Sequence, residues 1–382
     1  MIEISNLRKY YTGGGMARLE VDMTFTDMDS PYSEKTIYLE IAKEHEDLLD
    51  GESYNAFVLI PLYLAMYHKQ PLHICGKISK QLYHNVKWYI WKILCDYSPA
   101  LSPVEFIVDG FIDPPKERGK IIGTGFSCGV DSFTTVYDHF AKEEDLDYRI
   151  NTLFYFRCDG HNAPRKRYKA ILSQIKPVAE VLYLPLYTLD TNFSYFQGAV
   201  AKMRNHNTSM NFLAFYSCVL SMGRKISKYY ISSASSYEQI KEFSKLAHDN
   251  AISSFSESYL IPLIRTECTE LIIDGCQYRR VDKTKRIADW EIAKKYLNVC
   301  WENLADGSNC GKCSKCLRTL FALEVLGKID EYSALFDLKH YYELENKYKL
   351  RCLKGYGKDH FSTENVDFAR ENNFPMPTLE KK

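Results

Sequence analysis

Over residues 1–115 the spacing of apolar and polar positions changes period several times. Alternation on either side of Gly13, Gly14 and Gly15 predicts two strands joined by a tight turn, and 36–42 reads as another strand. Residues 55–68 are predicted helical and 72–75 a short strand. Ile78, Leu82, Val86, Tyr89, Ile90 and Ile93 recur at helical spacing, which predicts an amphipathic helix over 78–95. Its aromatic residues Tyr83, Trp88, Tyr89 and Trp91 are read as core. Polar residues 113–118, with Pro114 and Pro115, are the expected linker.

Beyond the linker, strand and helix patterns alternate. Strands are predicted at 120–126, 152–157, 181–185 and 229–233, and helices at 131–142, 165–178 and 211–227. Such a succession predicts crossover units, hence an α/β fold with a doubly wound parallel sheet. Ligands of such sheets lie outside the carboxyl ends of the strands. No element is legible after about residue 346. The expected organisation is therefore an α+β amino-terminal domain (1–115), an α/β domain (116–345) and a tail (346–382).

Composition narrows the class. The 382 residues suit about two domains. Lys+Arg and Asp+Glu both number 49, a formal net charge of zero, which argues against a nucleic-acid-binding protein. The basic groups at 165–167 and 279–286 are read as solvated faces. The longest apolar run, 56–67, contains Pro61 and is too short to span a bilayer, and the first residues do not read as a signal peptide. A cytoplasmic location is expected, with the 12 cysteines reduced.

Two constellations carry chemistry. Ser127, Cys128, Gly129, Val130, Asp131 and Ser132 lie between an apolar strand and an amphipathic helix. Small residues there let backbone N–H groups approach phosphate oxygens, and the two serine hydroxyls add donors. Asp131 beside phosphate calls for magnesium as an offset. A plain strand-to-helix turn, with serine or aspartate as cap, is the competing account. The second constellation is Cys300, Cys310, Cys313 and Cys316, spaced C-x9-C-x2-C-x2-C. Four thiolates make a closed tetrahedral zinc site of structural type, with Gly311 allowing the tight turn. An iron–sulfur cluster is the alternative occupant. The other eight cysteines are read as small core residues.

The first motif resembles the PP-loop of ATP pyrophosphatases, Ser-Gly-Gly-x-Asp-Ser after the first strand of a doubly wound domain. Cys128 stands at the first glycine and lacks its freedom at positive φ. Either the backbone there is ordinary, or phosphate affinity is weakened; a reactive thiol at a helix start is a third reading. With the downstream cysteines, residues 119–330 resemble the 7-cyano-7-deazaguanine synthase family. The resemblance implies adenylation of a 7-carboxy-7-deazaguanine-like carboxylate by ATP with Mg2+, release of pyrophosphate, amide formation with ammonia, and dehydration to a nitrile. It implies phosphate contacts from Ser127 to Ser132, catalytic roles for Asp131, Ser132 and Lys283, and structural Zn2+ at 300–316. Phe156, Asp159, Gly160 and His161 would contact nucleotide or substrate, and Arg204, Asn205, Ser233 and Ser235 the substrate. Met203 replaces a glycine of the family's turn. A lysine at a helix start, as Lys283 is, also implies an anion nearby. A homodimer is common in the family.

Residues 1–115 and the tail lie outside that family. The enlarged layout resembles synthase-like components of bacterial anti-phage operons, which implies a protein amine as acceptor, recognised by the amino-terminal domain, with no membrane or nucleic-acid partner. Two other readings stand beside it: an RNA-modifying PP-loop enzyme that adenylates a nucleobase, and a non-catalytic nucleotide-sensing scaffold.

Overall fold

The computed structural model describes residues 1–26, 28–158, 165–204, 211–245, 258–302 and 308–379. Ten strands form one sheet: β1 (Ile2–Thr12), β2 (Met16–Phe25), β3 (Thr36–Ala42), β4 (Leu72–Ile78), β5 (Phe106–Phe111), β6 (Ile121–Gly125), β7 (Thr152–Arg157), β8 (Leu186–Thr191), β9 (Ile226–Ser232) and β10 (Glu270–Asp274). Their order is β10-β9-β6-β7-β8-β3-β2-β1-β4-β5. Pairing is parallel from β10 to β8 and from β1 to β5, and antiparallel from β8 through β3 and β2 to β1. The α/β class and the largely parallel sheet match the alternation in the sequence.

The burial pattern of each strand follows from what covers it. In β7 Phe154 and Phe156 enter one core while Leu153 and Tyr155 enter the other, so the strand is apolar between Thr152 and Arg157. β3 instead alternates buried and partly exposed positions, because only one face of the amino-terminal half is covered. That half is not separate from the rest. Leu39 pairs with Thr191 and Ile41 with Leu189, and Asn192 clamps the joint by accepting from Tyr38 N–H and donating to Thr36 O. The fully apolar helix Leu59–His68 packs between β1, β4 and the helix Asn211–Leu220, so both segments share one core.

Several local expectations are corrected. The apolar residues 181–185 are not a strand: the helix Arg165–Leu182 continues past Pro177, burying Val178, Ala179 and Leu182 at helical spacing, and ends where Tyr183 takes φ 55°. Burial against the sheet outweighs the β-propensity of that run. The helix at 211–227 stops at Leu220, and β9 starts at Ile226. Strands β5, β8 and β10 lie outside the predicted strands. The helix at 78–95 contains a wide π turn, Val86–Ile90. The helix begins at Lys80, after β4 has taken Ile78; Leu82, Val86, Ile90 and Leu94 then face the core at intervals of four, while Trp88 and Tyr89 are 58% and 47% exposed and so are not core. The tail holds two helices, Leu338–Gly355 and His360–Glu371, the second burying Val366, Phe368 and Ala369. No helix among the described residues is long and apolar enough to cross a membrane.

If the carboxyl-terminal helix is part of the core, Phe368→Ala should lower stability by about 3–5 kcal/mol. Urea unfolding would show this as a lower midpoint at unchanged slope; a change within error would place the helix outside the cooperative unit.

Candidate functional site

The chain leaves β6 toward β7 on one side, while β9 leads to β10 on the other. This reversal opens a crevice at the carboxyl ends of β6 and β9, the ligand-binding position of doubly wound sheets. A cavity of about 350 Å³ lies there. Ser127, Asp131, Ser132 and Ser232 supply its polar wall, and Phe154, Phe156, Phe212, Phe215 and Tyr216 its aromatic wall. Apolar walls with a few convergent polar groups are typical of small-molecule sites.

The loop after β6 is shaped by its serines. The Ser132 hydroxyl donates to Gly129 O (3.1 Å) and accepts from Ser127 N–H (3.3 Å), and the two serine oxygens lie 3.4 Å apart. Gly129 and Val130 begin the helix Val130–Val136. Gly129 has φ −79°, open to any residue, whereas Cys128 has φ +59°. The left-handed backbone thus falls on the non-glycine residue. It persists because Cys128 O accepts from Asn298 N–H (2.8 Å) and the side chain is fully buried. Burial also pushes the thiol well above its ordinary value, which removes the reactive-thiol reading.

Asp131 is the electrostatic centre. Its carboxylate lies 2.5 Å from Arg280 Nη1 and 3.4 Å from Lys283 Nζ. Burial raises its pKa, but the charges of Arg280 and Lys283 outweigh this and hold it below the usual range. The offset expected from magnesium is therefore present as protein cations. Lys283 is fully buried and also donates to Ser233 O (2.6 Å), so the anion implied by a lysine near a helix start is Asp131 itself. Arg280 went unrecognised because it sits in the basic group 279–286, read as a solvated face. That reading holds for Lys285 and Arg286, which are exposed, but not for Arg280 and Lys283. Burial, and then the charge of Arg280, lower Lys315 and bring Arg318 down to about 10. Cations thus crowd this corner beyond what Asp131 neutralises.

Other expected residues are distributed as follows. Phe156 lines the cavity. Ser233 and Ser235 are buried and close their own turn, Ser233 Oγ donating to Ser235 O (2.9 Å), so neither is among the cavity-lining residues. Ser236 and Gln239 form a reciprocal capping box on the helix Tyr237–Lys245. Asp159, Gly160, His161 and Asn205 lie outside the described residues, and Arg204 ends the helix Phe193–Arg204 without a described side chain.

Glu364 joins the tail to this corner. It accepts from Gln239 Nε2 (3.0 Å) and from the backbone N–H of Arg280 (3.1 Å), the first residue of the helix Arg280–Ile287. Desolvation dominates over these bonds and raises its pKa to about 7. Its Oε1 has no hydrogen-bond partner among the described residues.

The four cysteines converge. Cys300 and Cys313 sulfurs are 4.0 Å apart and those of Cys310 and Cys316 3.9 Å. A tetrahedron with metal–sulfur bonds of ~2.3 Å has edges of roughly 3.8 Å, so the donor set fits one ion such as zinc. Cys313 N–H donates to Cys310 Sγ (3.3 Å) across the turn at Gly311. Gly311 has φ +70°, and a Cβ there would lie 2.1 Å from Asp337 O, so no other residue fits. Zinc here would tie Cys300, Cys310 and Cys313 to Cys316 on the helix Ser314–Val325, with no coordination position left open.

Two predictions follow from burial. In the native protein Cys128 should resist iodoacetamide at pH 8 and become alkylated only after unfolding, as read by peptide mass spectrometry; rapid native modification would contradict the packing. The second concerns Glu364, whose folded pKa of about 7 exceeds the ordinary 4.5. Its contribution is full below pH 4.5 and is lost as pH rises to about 7. Relative to Glu364→Gln, the unmodified protein should lose on the order of 2 kcal/mol across that window. Parallel pH profiles of urea stability would refute the assignment.

Compared with family models, curated proteins and solved structures, the chain matches none of them.

Proposed function

We propose that the chain is an ATP-dependent enzyme that adenylates a small carboxylate, of the 7-carboxy-7-deazaguanine class that its motifs resemble. One observation carries the reading: the Ser127–Ser132 hydroxyls and Asp131 face an aromatic-walled cavity at the switch point of the sheet, beside an excess of buried cations. Cys128 at φ +59° adds support, since the loop keeps a glycine-type backbone where the motif departs from its pattern.

In this reading a substrate carboxylate oxygen attacks the α-phosphorus of ATP. The bond to the β-phosphate breaks, and pyrophosphate leaves within reach of the Ser127 and Ser132 hydroxyls. An amine lone pair then attacks the acyl carbon, the C–O pair departs with AMP, and the amine loses a proton. Arg280 and Lys283 hold Asp131 at the cavity wall and bias the corner toward anions. Phe156 and Phe215, 5.1 Å apart, offer ring faces to a planar base. Magnesium would ride with the nucleotide phosphates. The acceptor amine is ammonia or, in the enlarged layout, a protein amine.

The test is incubation with ATP, magnesium and 7-carboxy-7-deazaguanine, with products read by mass spectrometry. AMP, pyrophosphate and an amide are expected. Ser132→Ala should cut turnover by about 100-fold or more while zinc content stays unchanged. Nucleotide binding without turnover on any carboxylate would favour a sensing scaffold and overturn the proposal.

A further inference from the structure

The uncovered face of the amino-terminal half carries a second group of convergent donors, far in sequence from both constellations above. Glu3 on β1 stands directly opposite His73 on the parallel strand β4, and Cys75 follows two residues later on the same face. His73 Nδ1 lies 3.6 Å from Cys75 Sγ and 3.9 Å from a Glu3 carboxylate oxygen, and one ligand atom from each residue falls within 4.8 Å of the others. The other imidazole nitrogen is engaged. His73 Nε2 lies 2.7 Å from Asp109 Oδ1 on the neighbouring strand β5.

That last contact decides the chemistry. A neutral imidazole has one proton, and a carboxylate at hydrogen-bond distance from Nε2 holds it there. The Nδ1 lone pair is then turned toward the Glu3 carboxylate and the Cys75 sulfur. Without an ion the Cys75 S–H can donate to Nδ1 across 3.6 Å, and a divalent cation would take the place of that proton and draw on all three donors. A carboxylate orienting the far side of a histidine is also the usual outer-shell partner of a metal ligand. Bonds of ~2.0–2.3 Å to nitrogen, oxygen and sulfur around one ion require donor separations of roughly 3.3–3.8 Å, which these side chains reach with small rotations. The β4–β5 register shifts between Ile74 and Lys77, and this irregularity sits at Cys75.

We propose that Glu3, His73 and Cys75 form a second metal site, for a borderline divalent ion such as zinc or cobalt, with Asp109 as the positioning residue for His73. The mixed sulfur, nitrogen and oxygen set selects against hard ions such as magnesium and calcium. Three protein donors leave a coordination position open. The sheet face is only partly covered, with side-chain exposures of 24% for His73 and 33% for Glu3, so an external ligand can reach that position. The site thus differs in kind from the closed four-cysteine cluster, and it stands whether or not the proposed adenylation is correct.

The full-length protein, loaded with one equivalent of zinc at the four cysteines, is titrated with Co2+ while zinc release is monitored. One further saturable equivalent without zinc release is expected, with a sulfur-to-cobalt charge-transfer band in the near ultraviolet. Cys75→Ser should remove that band, His73→Ala should abolish saturable binding, and Asp109→Ala should weaken it by about 10- to 100-fold. All three substitutions lie on a partly exposed face, and circular dichroism would verify their folding. Absence of the second equivalent, or a second equivalent that none of the three changes alters, overturns the proposal.

Discussion

A carboxylate with little access to water is costly unless opposite charge accompanies it, and Asp131, 22% exposed at the cavity wall, sets that condition for the candidate site. Its partners, Arg280 and Lys283, lie on one helix about 150 residues further along the chain. The serines shape the loop after β6 locally, and docking of that helix supplies the opposite charge for its carboxylate. The helix is held in turn by Glu364, which accepts the backbone N–H of Arg280, and by Arg279, whose guanidinium bonds both Asp282 and Glu371. A line of polar contacts thus runs from the cavity to the last helix of the chain. Arg280, Lys283 and Glu364 are its buried members, and removing their partners would leave them unpaired away from water.

The sheet divides the molecule chemically. From β10 to β8 the strands send side chains into both cores, and the crevice lies at the carboxyl ends of β6 and β9. From β3 to β5 only one face is covered, so alternate residues are free to be polar. Glu3, His73, Cys75 and Asp109 all occupy that second face. The same pleat that buries Ile2, Ile4, Leu72 and Ile74 presents their neighbours together on the other side. The cavity at the sheet's switch point and the cluster on the open face arise in this chain from one backbone rule applied under two degrees of cover.

Short-range chemistry was legible. The hairpin at Gly13–Gly15, the strands 36–42 and 152–157, the hydroxyl loop and the cysteine spacing all depend on residues within one turn or one strand of each other. Misreadings came where distant packing chose between local options. Val181 and Leu182 have strand-like side chains, yet the helix kept them because Leu182 buries against the second core. Trp88 and Tyr89 look like core by hydrophobicity, but a wide turn gave the buried positions to Val86 and Ile90.

By itself the sequence determined the alternation of strands and helices, a hydroxyl-bearing strand-to-helix loop and a four-cysteine cluster, because each is written in a local period or spacing. The tertiary structure alone decided that β3 joins β8, that Arg280 and Lys283 lie buried against Asp131, and that Asp109 turns His73 toward Glu3 and Cys75. Those pairings join residues tens to more than a hundred positions apart, and no local pattern encodes which distant partner the hydrophobic cores will bring into register.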